Sequence, residues 1–233
     1  MSITLRQLTY DLLNTVRGGK ISDDEALSER LVQFWIKNTR AQLIREDINK
    51  GHSISSNVIQ SLGCVDVELV DASLCCGIEV DCNVFRTTVT IPTPIEAYQK
   101  DLITRVGPIM VGSRAFDIVP IERIPFLGYT PFKGINEAIR ASILNKYVYI
   151  FVPKHNKLIK KINIMGVWAD PTELSTFNEC SGSACYTDES NYPISEHMVE
   201  RMKSLIIQTD LKVAASAPSD SEGNAKFDVK PNV

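Results

Sequence analysis

The sequence predicts an α+β protein in which an N-terminal helical hairpin and a C-terminal helix pack as a helical bundle, with a β-rich antiparallel insertion between them. Three observations predict it. Leu5, Leu8, Leu12 and Val16 recur at helical spacing, and a second apolar stripe follows from Ser28 to Gly51. From Gly63 the apolar period falls to two, as a half-buried strand requires. Met198, Met202, Leu205 and Ile206 then restore a helical stripe near the end. The domain boundaries that follow are 1–62 with 193–213 for the bundle, 63–192 for the β-rich part with irregular segments, and 214–233 for a flexible C-terminal arm.

The first helix opens on a capping box, Thr4 with Gln7, and stops at Gly18-Gly19. Those glycines lack the Lys-Ser/Thr of a phosphate loop, so a helix stop is all they signify. Ser22 with Glu25 makes another capping box, leading to a longer helix that begins near Ser28 and carries Leu31, Phe34, Trp35, Ala41, Ile44 and Ile48. A short connection between two helices favours a hairpin. Val65, Val67 and Leu69 alternate with Asp66 and Glu68, and Phe85, Thr87, Val89 and Ile91 repeat the pattern, predicting two antiparallel strands joined through a loop at Cys75 and Cys76. Residues 107–134 hold too many Gly and Pro for long elements, leaving a short strand and a helical turn. Ile135, Ile139 and Ile143 predict a short helix over 135–144, and Lys146–Val152 with Leu158–Trp168 reads as a hairpin around a five-residue loop. Ser195 is the candidate N-cap of the last helix, with Ile194 and Val199 as its hydrophobic staple. The segment after Ala214 is too polar to offset its chain entropy alone.

The 44% hydrophobic and 23% charged composition is that of a globular chain large enough for a real core. A net charge of -3 argues against a phosphate-neutralising nucleic-acid binder. No apolar run approaches a membrane span, and the first residues have neither signal-peptide nor transit-peptide character. His52, His155 and His197 sit in a loop, a hairpin tip and a helix start without a spaced nucleophile, so no catalytic residue is expected. Cys64, Cys75, Cys76, Cys82, Cys180 and Cys185 lack the two-residue spacing of a zinc knuckle. They read as reduced, partly buried thiols, with no metal and no cofactor.

Charge comes in blocks that the total conceals. Residues 61–83 carry Asp66, Glu68, Asp71, Glu79 and Asp81 with no Lys or Arg. Arg140, Lys146, Lys154, Lys157, Lys160 and Lys161 follow without an acid, and residues 170–200 reverse the sign. Opposite patches on different faces let copies meet head to tail, and a closing rotation makes a ring. The candidate subunit contacts are therefore Arg140, Lys154, Lys157, Lys160 and Lys161 on the basic side, and Asp170, Glu173, Glu179, Asp188 and Glu189 on the acidic side. Solvated faces without partners are the competing reading.

Several strings resemble structural proteins of crAss-like bacteriophages: Thr4-Leu5-Arg6-Gln7-Leu8, Ile21-Ser22-Asp23-Asp24, Phe34-Trp35-Ile36-Lys37-Asn38 and Arg40-Ala41-Gln42-Leu43-Ile44-Arg45. Residues 101–108, Tyr147-Val148-Tyr149-Ile150 and Asn191-Tyr192-Pro193-Ile194-Ser195 belong to the same resemblance, which runs to about Leu211. The helical start is also similar to podovirus head-to-tail adaptors. The resemblance implies an adaptor-type bundle and a non-enzymatic virion protein, assembled in the host cytoplasm as a ring at the portal/tail junction. The implied partners are further copies in a dodecameric ring, the portal protein, other tail or ring proteins and passing genomic DNA, with no membrane. A capsid-decorating or tail-tube protein is the alternative, and a cytosolic zinc-binding regulator or enzyme a more distant one.

Overall fold

Helix α1, Leu5–Arg17, starts as its sequence requires: Thr4 N donates to Gln7 Oε1 at 2.9 Å and Gln7 N to Thr4 Oγ1 at 3.2 Å. These coordinates are a computed structural model, which describes residues 3–17, 27–71, 83–110, 112–124, 138–152 and 159–211. Helix α2, Glu29–Asn49, is capped by Ser28 Oγ, which accepts from Leu31 N. Helix α3, Glu196–Gln208, begins after Ser195, whose side chain makes no capping bond. The second capping box and the 214–233 arm lie outside the described residues.

Ten strands are described: β1 Gln60–Ser61, β2 Val65–Asp71, β3 Asn83–Thr87, β4 Glu96–Ala97, β5 Lys100–Asp101, β6 Ile103–Pro108, β7 Asp117–Ile118, β8 Arg140–Leu144, β9 Tyr147–Phe151 and β10 Lys161–Gly166. Eight of them form one curled sheet, and β4 and β5 make a separate small ribbon. Strand β10 lies inside the sheet. It pairs antiparallel with β6 on one side and with β1 and the start of β2 on the other. The sheet continues from β2 through β3, β9 and β8 to β7, whose pairing with β8 is parallel. Phe116 N, just before β7, donates to Val106 O of β6, so the far end of the sheet returns toward its beginning.

This architecture corrects the expected helical bundle with a β insertion. The structure is mixed α/β, dominated by the curled sheet, with three helices among the described residues. The helices do not form a core of their own. Leu8, Leu12, Ile36, Leu43, Met202 and Ile206 pack with Ile95, Ala97, Leu102 and Val167 from the β region. A second core, including Val106, Ile150, Ile162, Ile164 and Trp168, is built mainly from the strands of the sheet. The helical stripes are real, but they share one core with residues of the β region, and α2 packs on β4 as well as on the other two helices.

Two local expectations also change. Arg140–Leu144 is strand β8 rather than the end of a helix, because Ile139, Ala141 and Ile143 satisfy a period of two as well as of four. Residues 146–152 and 158–168 do contain strands, but β9 and β10 are not partners. The hairpin is β8 with β9, turning at Asn145 and Lys146, both at positive φ as a two-residue type I′ turn demands. Strand β3 ends at Thr87, short of the expected Ile91.

Arg40 joins the two cores. It is fully buried on α2, with Nε donating to Pro193 O at 2.6 Å and Nη1 to Trp168 O at 2.8 Å. Its guanidinium carbon lies 5.6 Å from the centre of the Tyr192 ring. Burial lowers its pKa, opposed by Tyr192, Tyr186 and Asp170, while arginine's very high intrinsic value keeps it protonated. Replacing it strands two carbonyls and opens a void. Arg40→Ala is expected to cost about 3 kcal/mol, with Arg40→Lys recovering only part because one ammonium lacks the guanidinium fork. Urea unfolding of the full chain checks this.

Candidate assembly surfaces

Helices α1 and α2 border an open cleft of about 620 Å³ that also receives the turn at Asp188 and Glu189. Asp11 and Glu29 join those two acids, and Arg6 is the one basic residue among its lining side chains. Tyr10, 63% exposed, stands in it, while Phe34, 57% exposed, and Leu31 lie nearby in sequence on α2. Apolar spacing puts Leu31 and Phe34 in one stripe with Ile44 and Ile48. The structure buries Ile44 and Ile48 of that stripe together with Val32, Ile36 and Leu43, and leaves Leu31 and Phe34 as large apolar groups on the outer face.

The other candidate contacts are scattered. Arg140 is buried in β8, so its charge is not offered to solvent. Lys154 and Lys157 lie outside the described residues. Lys160 and Lys161 are exposed, Lys161 Nζ standing 3.5 Å from Asp66 Oδ1. Asp170 is held internally by Lys37 Nζ at 2.7 Å and by Thr172 through both its hydroxyl and its amide. Burial alone would raise the Asp170 pKa, but these bonds outweigh it and hold the carboxyl below its ordinary range. Glu173 and Glu179 are exposed, with Glu179 accepting from Ser181 and Ser183. Of the ten candidates, only Asp188 and Glu189 share the α1–α2 cleft.

The cysteines behave differently from expectation. Cys64 and Cys180, 116 residues apart, form a disulfide that ties the start of β2 to the segment before α3. Cys185 is a free thiol whose pKa burial, aided by Glu179, pushes up to about 11. Gly63 makes the junction possible: at φ +66° a Cβ there would collide with Asn178 O and Cys185 Sγ. Cys75, Cys76 and Cys82 lie outside the described residues. Among the described residues no group of three His, Cys, Asp or Glu side chains is arranged to hold a metal, and no helix is long and apolar enough to cross a membrane. Two of the histidines flank one carboxylate, His52 Nδ1 at 2.6 Å and His197 Nε2 at 3.9 Å from Asp47.

Two measurements test these features. Closing so long a loop should contribute about 4–5 kcal/mol on the chain-entropy model, so Cys64→Ser should lower the melting temperature and make it indifferent to reductant. For Asp170 the sign follows from its depressed pKa: its contribution is present above the ordinary carboxylate range and is lost as pH falls through the folded value. Asp170→Asn should therefore melt below the wild type at pH 7, and thermal melts should converge toward acid pH.

None of the curated proteins matches this chain. A family model described as phage tail ring protein 2 matches residues 7–229 of the 233, covering α1 from its third residue, the other two helices and every strand described above. A protein of this kind is a virion component that assembles with other tail parts, in keeping with an outer face that leaves aromatic and acidic groups uncommitted. The chain belongs to the crAss-like phage tail ring protein 2 family.

Proposed function

We propose that this tail ring protein forms a ring at the portal/tail junction, connecting capsid to tail and leaving a conduit for DNA. Membership of the ring family carries the proposal. The exposed Tyr10, Leu31 and Phe34 support it, because apolar side chains left on a helix whose opposite face is packed suit burial against another subunit. Separated charge supports it too: Lys160 and Lys161 stand apart from Asp188 and Glu189 in the α1–α2 cleft, and the two patches could orient neighbouring copies. A net charge of -3 suits a channel that DNA must slide through, since a strongly basic lumen would hold the phosphates.

In this reading the partners are further copies in a dodecameric ring matched to the portal, the portal protein itself, other tail or ring proteins, and DNA in passing. The bundle and insertion are replaced as an organising idea by a rigid sheet with helices on it, and residues 214–233 serve as an arm that orders on a neighbouring subunit. Cryo-EM of virions tests the location: a twelvefold ring of this chain between portal and tail is expected, whereas density on the capsid exterior or along the tail tube contradicts the proposal. Virions encoding a chain truncated after Val213 should lose tails, and normal stoichiometry with normal infectivity would reduce the arm to a solvated end.

A further inference from the structure

Within that ring reading, we infer that the α1–α2 cleft of each copy receives the basic end of β10 from a second copy, Lys160 and Lys161 facing Glu29, Asp188 and Glu189. The cleft is anionic and underused. Asp11 is approached by Lys203 Nζ at 3.5 Å, but Glu29, Asp188 and Glu189 make no ion pair among the described residues. Tyr10, largely exposed, supplies an aromatic surface in the same cleft. Three carboxylates around an exposed ring fit a cationic side chain with an apolar stem better than they fit an anion or a purely apolar helix.

The occupant follows from symmetry. A ring of identical chains uses a heterologous contact, so the surface that fills this cleft lies elsewhere on the same sequence. The cationic pole of the chain is the run from Arg140 to Lys161, which holds six basic residues and no acid. With Arg140 buried, its described exposed members are Lys146, Lys160 and Lys161. Backbone bonds place them around one corner: Val67 N donates to Lys160 O, Thr88 N to Asp66 O beside Lys161, and Ile91 N to Lys146 O. Val89, 47% exposed, adds an apolar group at that corner. Asp66 and Glu179 are the acids nearby, and the Lys161–Asp66 pair joins side chains that are 51% and 59% exposed, so it yields readily to a better partner. The cleft and the corner share no lining residue, which permits a head-to-tail contact rather than a self-paired dimer.

Zero-length carbodiimide coupling of purified virions tests this on the native chain. The expected result is a ladder at multiples of 26.0 kDa, with peptides joining Lys160 or Lys161 to Glu29, Asp188 or Glu189. A ladder joined through other residues, or cleft carboxylates coupled to a different virion protein, overturns the inference while leaving the ring intact. Virions in which the chain gives no ladder overturn the ring reading itself. Charge exchange supplies the second arm: Lys160→Glu with Lys161→Glu should reduce incorporation about tenfold, and adding Asp188→Lys with Glu189→Lys should restore it. Unchanged incorporation in the first variant also overturns the inference.

Discussion

A guanidinium cannot be taken out of water cheaply, and the way Arg40 is accommodated governs how the rest of the chain is arranged. Its two hydrogen bonds end on the Trp168 and Pro193 carbonyls, one just past β10 and the other just before α3. Meeting both requires α2 to lie across the junction where the sheet leaves off and the last helix begins. Lys37, three residues earlier on the same helix, reinforces that line by binding Asp170. One face of α2 thus carries a polar seam between two apolar cores, and neither core can shift against the other without exposing a charge that has few alternatives.

The helix starts were legible because their signals are local. Thr4 and Gln7 bond each other as the capping box predicts, and Ser28 caps α2. Strand positions were legible for the same reason, since Val65–Asp71 shows its period, and Tyr147–Phe151 its aromatic and β-branched composition, within a few residues. Pairing was not legible, because it depends on contacts between distant segments. Proximity in sequence favours β9 with β10, while Asn145 and Lys146 turn the chain one strand earlier. Arg40 looked like any surface arginine, and nothing at Cys64 pointed to a partner 116 residues away.

The charge blocks were visible from the start, but packing decides which members remain available. Arg140 and Asp170 look equivalent to their neighbours in a list of charges; one is buried in a strand and the other is committed to Lys37 and Thr172. Asp188 and Glu189 stay free and are joined by Asp11 and Glu29, which lie outside the charge blocks, on α1 and at the start of α2. Exposed Phe34 was missed for a related reason. An aromatic on a helix is assigned to the core by default, and only the burial of Val32 and Ile36 reveals that the core took the other side.

Strand β10 has ladder partners along both edges, β6 on one side and β1 with β2 on the other. Such a strand responds to force differently from one in a terminal hairpin. Tension along its axis loads the flanking hydrogen bonds together, in shear, whereas a hairpin peels open one bond at a time. In a component of a phage tail, a load entering at Lys161 would be spread through the sheet before any single bond had to yield.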